Sequence, residues 1–179
     1  EAQMASILNV DKIRRAAGST DALVIDSGDR ITTPTRPAFH SRHTSPGGTV
    51  GVQGIIVFDT EDFDIGGNYN TSNGRFTAPV AGIYYFHFNA LPCENTSGAV
   101  LADGSAVYVS FYKNGAETAA TSQRSYGRTN GATQYNTIYR TEIMQLSAND
   151  YIQVNVQNKY IYNDASGYYN PVFHGHLIG

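Results

Sequence analysis

The chain has 179 residues and a net charge of −3, with only 15% of its residues charged. It has no basic run to attract nucleic acid and no apolar stretch approaching the roughly 18 residues of a membrane span. The single cysteine, Cys93, excludes an intrachain disulfide framework and reads as a small buried hydrophobe rather than a nucleophile. Thirteen Tyr, eight Phe and no Trp favour strands over helices. A chain of this size suits one domain plus an appendage, able to bury about 70% of its unfolded surface.

Residues 1–36 differ from the remainder. Short apolar runs (Ile7-Leu8, Val10, Ile13, Leu23-Val24-Ile25, Ile31) are separated by Gly18-Ser19-Thr20-Asp21 and Ser27-Gly28-Asp29, which are turn chemistry. The runs are too short and too few for an independent core. Asp11 to Ala17 suits one helical turn or two, closed by Gly18. The segment is expected to need support from other chains, as an attachment or stem. Thr33-Pro34-Thr35-Arg36-Pro37 follows as an extended linker, because each Pro pushes its predecessor towards β or polyproline geometry.

From residue 37 to 179 the pattern is all-β. Strands are expected over Pro37–Arg42, Gly54–Phe58, Arg75–Ala78, Gly82–Ala90, Val107–Lys113, Thr133–Leu146, Tyr151–Asn158 and Val172–Ile178, with a polar loop reaching Gly74. Asn114-Gly115 is the strongest hairpin signal in the chain. Gly82-Ile83-Tyr84-Tyr85-Phe86-His87-Phe88 alternates with period two, so Tyr84, Phe86 and Phe88 share one buried face. The opposite face, Ile83, Tyr85 and His87, is too apolar for open water and predicts a partner chain. Eight to ten short strands at this spacing make a two-sheet jelly roll.

The landmarks Phe58, Asp64, Tyr69, Phe76, Gly82, Tyr84, Phe86 and Phe88 form the pattern F-x5-D-x4-Y-x6-F-x5-G-x-Y-x-F-x-F. With Phe173-His174-Gly175-His176-Leu177 and the turn Leu146-Ser147-Ala148-Asn149-Asp150, it resembles the globular head of complement component 1q, within the tumour necrosis factor-like superfamily. In that family's turn a Gly stands where Asn149 is found here, and Asn tolerates the left-handed geometry. The resemblance implies a ten-stranded jelly roll assembling as a homotrimer. Ser6-Ile7-Leu8-Asn9-Val10-Asp11-Lys12-Ile13-Arg14 resembles, more loosely, pieces of bacteriophage fibre and spike proteins. Neither a Gly-X-Y collagen stalk nor a secretory leader is visible, which favours a viral or bacterial surface protein over an animal immune one.

If Phe39, Phe86, Phe88, Phe173 and Leu177 point inwards, then Ala38, His40, Arg42, Tyr85, His87, His174 and His176 point outwards. The resemblance implies that these three strands share the sheet forming the trimer contact. The interface residues are therefore expected to be Ala38, His40, Tyr85, His87, His174 and His176. His174-x-His176 repeated about a threefold axis has the donors of a transition-metal site, but neutral imidazoles packing at an interface are the simpler reading, and no metal is assigned. Protonating several facing histidines below about pH 6 adds like charge and weakens such a contact.

Asp59-Thr60-Glu61-Asp62-Phe63-Asp64 lacks the spacing of a calcium loop and reads as a solvated acidic loop. No nucleophile context such as G-x-S-x-G surrounds any Ser, so no enzyme activity and no cofactor are expected. Glu94–Gly104, Ser122–Gly131 and Lys159–Asn170 read as exposed loops. Their Tyr126, Arg128, Tyr160, Tyr162, Tyr168 and Tyr169 have the chemistry of adaptable recognition surfaces. The expected protein is a trimeric adhesion or structural component on a virion, held by other virion proteins through residues 1–36 and contacting host-surface glycan or protein. The alternative is a secreted or surface-displayed bacterial lectin-like module.

Overall fold

The computed structural model describes residues 10–14, 16–19, 21–44, 54–102, 104–118, 123–126, 137–163 and 170–179. The chain divides into two compact units, Glu1–Arg36 and Pro37–Gly179. No helix occurs among the described residues.

In the first unit, β1 (Lys12–Ile13), β2 (Leu23–Ile25) and β3 (Ile31–Thr32) form one antiparallel sheet in that order. The helix expected over residues 11–17 does not occur among its described residues, 11–14 and 16–17. Ile13 pairs with Leu23 across an antiparallel ladder, and Asp21 holds Lys12 at 3.0 Å. The next turn is tied by Asp26, whose carboxylate accepts from the Gly28 and Arg30 N–H groups at 2.8 and 3.1 Å. Ile13, Leu23, Ile25 and Ile31 line one shallow apolar hollow.

The second unit contains, in chain order, β4 (Ala38–Arg42), β5 (Gly54–Ile55), β6 (Thr60–Ile65), β7 (Tyr69–Asn70), β8 (Arg75–Thr77), β9 (Gly82–Cys93) and β10 (Ala106–Lys113). β11 (Ala116–Glu117), β12 (Gln123–Tyr126), β13 (Ile138–Leu146), β14 (Tyr151–Gln157), β15 (Tyr160–Tyr162) and β16 (Val172–Leu177) complete it. One sheet has the order β13-β9-β16-β4-β6, with β15 on the far end of β9. The other runs β11-β10-β14-β8-β7, with β12 on β10 and β5 on β14. Among the described residues this is more strands than the ten expected, the surplus being two- to four-residue pieces such as β5, β11, β12 and β15.

The core lies between these sheets and is aromatic. Tyr84, Phe86 and Phe88 of β9, with Phe39 and Phe173, meet Phe76 and Phe111 from the opposite sheet, and all are essentially inaccessible to solvent. Phe39 stacks on Phe76 at 4.8 Å and meets Phe173 edge-on at 4.9 Å, the two geometries ring quadrupoles favour. Gly175 is required by close approach. A Cβ there would stand 2.6 Å from Phe86 Cδ1 and 2.7 Å from the Tyr85 carbonyl oxygen. Leu177, expected in the core, is only partly buried against it.

The stretch after Phe58, expected as a polar loop, contains the edge strand β6. A register shift opposite His40 and Ser41 places Phe63 against His40 and lets Asp62 reach the same side. This breaks the period-two pattern by which strands are read from sequence. Asn114 and Gly115 adopt φ of 53° and 82° between β10 and β11, the positive pair demanded by a tight hairpin.

Candidate assembly and binding surface

Because Tyr84, Phe86 and Phe88 turn inwards, the alternate residues of β9 emerge on the outer side of its sheet. β16 pairs with β9 on one side and β4 on the other. This register sets His174 beside both His87 and His40, and His176 beside both Tyr85 and Ala38. The six residues expected at an interface are thus brought onto one face. The His174 ring lies 5.0 Å from that of His87 and 5.5 Å from that of His40, while Tyr85 and His176 are 5.2 Å apart.

Two of the imidazoles are fixed by partners beside them. His40 Nδ1 is 2.8 Å from Asp62 Oδ2, and Arg42 Nε donates to the other Asp62 oxygen at 2.7 Å. The Arg42 hydrogen bond, with His40, holds the Asp62 carboxyl below the usual range. His87 Nδ1 is 2.8 Å from the Thr141 hydroxyl. His174 sits between them. Burial, and then the neighbouring His87, His40 and His176, push its pKa down to about 4. Burial also lowers that of His87. The centre of this face is therefore uncharged at neutral pH, with Asp62 and Arg42 paired at its margin. Phe63, Tyr139 and Ile143 flank it, 50%, 60% and 64% exposed. Among the described residues, no three His, Cys, Asp or Glu side chains are grouped to hold a metal ion.

The recognition-loop residues are placed differently. Tyr160 and Tyr162 are not in an exposed loop. They flank buried Ile161 on β15, which pairs with the Leu91–Cys93 end of β9, and both are half-buried. Ile161 is drawn into the core, and that anchors the tyrosines either side of it. Tyr126 ends β12 and pairs with Ala106. Arg128, Tyr168 and Tyr169 lie outside the described residues. The acidic run is likewise no free loop. Asp59 accepts from the Thr44 N–H at 2.8 Å, and Asp64 accepts from that of Tyr69 at 2.8 Å. Cys93 is buried, which raises its thiol pKa to about 11 and leaves it unreactive.

His43, which sequence reasoning left out, is buried away from the histidine face, with Nδ1 2.8 Å from the Val57 carbonyl oxygen. The register shift in β6 turns Phe63 to this face, a direction that its place in the sequence does not show.

Fold and surface together define a complement-1q-like jelly-roll head. The C1q domain family profile matches residues 38–178, and the chain belongs to that family. Its structure is similar to the globular domain of zebrafish complement 1qA protein, with a TM-score of 0.56 at 17% identity, covering 80% of this chain and 98% of that one. At that identity the likeness speaks for the fold.

Proposed function

We propose that the protein is a non-enzymatic homotrimeric display and adhesion component on the surface of a virion, its head contacting host-surface glycan or protein. The observation that carries the trimer is the outer face of β4, β9 and β16. Tyr85, His87, His174 and His176 form a ring-lined surface with no charge at its centre, flanked by exposed Phe63 and Ile143. A cyclic assembly buries that face once per subunit. Residues 1–36 form the attachment to other virion proteins, and the apolar hollow at Ile13, Leu23, Ile25 and Ile31 supports a partnered role for that unit. The bacteriophage assignment draws on the likeness of residues 6–14 to fibre and spike proteins.

Light scattering on the intact chain and on a chain starting at Pro37 tests assembly. A threefold mass in both assigns assembly to the head. A monomeric short chain transfers it to residues 1–36. Antibody labelling of virions tests display, and labelling confined to a bacterial envelope would favour the surface-module alternative.

A further inference from the structure

At one side of the sandwich both sheets end, the first at β6 and the second at β7. The short turn at residues 66–68 joins these two edge strands without closing the gap between them. An open groove remains, with a volume of about 500 Å³, walled by β6, β7, the end of β8 and the 147–150 turn. Its lining is polar, in contrast to the mostly apolar clefts that hold drug-like molecules. Glu61, Asn68, Asn70, Thr71, Thr77 and Asn149 face it, and among the described residues no Lys or Arg lines it.

Several of these groups are free yet held in position. Asn68 spends its Nδ2 on the Ile65 carbonyl at 3.1 Å, leaving its own oxygen. Asn70 spends its oxygen on Ser72, through N–H and hydroxyl at 2.9 and 2.6 Å, leaving its NH2. The side chains of Glu61, Thr71, Thr77 and Asn149 bond to no other described residue. Asn149 is set by a turn with φ 71° and by its N–H bond to Ala78 at 2.8 Å. The groove therefore offers both donors and acceptors on rigid backbone. Each sugar hydroxyl is at once a donor and an acceptor, so it matches amides and hydroxyls pairwise, and a carboxylate takes hydroxyl donors. Glu61 is the charged group in the described lining; burial, and then the nearby Asp64, raises its pKa, and its carboxylate repels anionic ligands. The two residues of β7 and the shifted register of β6 give an extended peptide too little straight edge to pair with.

We propose that this groove binds a neutral saccharide through Glu61, Asn68, Asn70, Thr71, Thr77 and Asn149. The proposal rests on the reading of the head as a binding module and gives that module a site apart from its loops and its histidine face.

The test is amide NMR of the full chain titrated with maltotriose, chitotriose, a mannotriose and a galactotriose, with 3′-sialyllactose as the anionic control. The expected result is that at least one neutral trisaccharide shifts the side-chain amides of Asn68, Asn70 and Asn149, while the sialylated one does not. Asn149→Gly keeps the turn, since Gly accepts that φ, and Thr77→Val keeps the side-chain shape. Each is expected to weaken binding about tenfold for the hydrogen bonds lost. Shifts confined to residues 94–104 or 159–163, affinity untouched in both variants, or no response to any neutral trisaccharide would overturn the proposal. Host-surface adhesion that survives Asn149→Gly removes this groove from the function while leaving the adhesion reading in place.

Discussion

The side-chain NH2 of Asn114 donates to the Asp150 carboxylate across 2.7 Å, joining the β10–β11 turn to the turn before β14. The Asn114 oxygen accepts from the Tyr151 N–H at 2.9 Å, and Lys113 Nζ lies 2.8 Å from the second Asp150 oxygen. Two turns far apart in sequence thus share one polar latch. Asn114→Ala loses both bonds and puts at φ 53° a residue that tolerates left-handed geometry less well than Asn, a cost of about 2–3 kcal/mol. Asn114→Gly loses only the bonds, about 1–2 kcal/mol. Urea unfolding of the two variants separates these contributions, and equal losses would contradict the backbone part.

The same latch makes a prediction for acid. Hydrogen bonding from Lys113, Asn114 and the Ser147 N–H holds the Asp150 pKa at about 2, below its usual 3.8. A lowered carboxyl pKa contributes stability that is complete above the unfolded value and is lost as pH falls through the folded one. The expected loss between about pH 3.8 and 2 disappears in Asp150→Asn, as thermal melts at stepped pH would show.

His174 titrates in a different window. Its folded pKa of about 4 lies under the ordinary 6.5, so the unfolded chain takes up the proton first. Its contribution is present above about pH 6.5 and is lost as pH falls towards 4. The melting temperature is expected to decline across that interval, and His174→Gln to flatten the decline. An unchanged slope in the variant would assign the effect to other groups, with His87 the next to examine.

Tyr85→Glu puts a carboxylate on the outer face beside His174 and His176 without touching the core. The expected outcome is a folded head with native near-ultraviolet signal and the mass of one chain. A variant that still assembles would place the subunit contact elsewhere.

Core substitutions follow from the close approach at Gly175. Phe86→Ala leaves a cavity among Phe39, Phe76, Phe111 and Phe173 and costs about 3–5 kcal/mol. Gly175→Ala drives a methyl into the Phe86 ring and costs about 1–3 kcal/mol. Chemical denaturation measures both, and a near-native Gly175→Ala would mean that β16 can slide away from β9.

Where a strand alternates between a buried aromatic face and an exposed one, its direction can be read from the residues alone. That holds for β9 and β16, and for the histidine face that follows from their pairing. The Asn114-Gly115 hairpin is equally legible, because few dipeptides accept two positive φ angles. β6 is not, since its register shift sends Asp62 and Phe63 to one side and conceals an acidic strand as a loop. β15 escapes notice because three residues cannot show a period, and only its pairing with β9 buries Ile161. The groove beside Glu61 and Asn149 is formed by residues more than eighty positions apart in the chain. No local pattern announces it.

The irregular rim of the first sheet also has a consequence for solubility. An edge strand with open backbone groups is a template on which further chains can stack without limit. β6 is that rim, and it bears Glu61, Asp62 and Asp64 together with a register shift. A second copy arriving edge-on meets carboxylates and a kink where it would need straight, neutral backbone. The acidic, kinked rim of this sheet thus resists edge-on growth into fibrils.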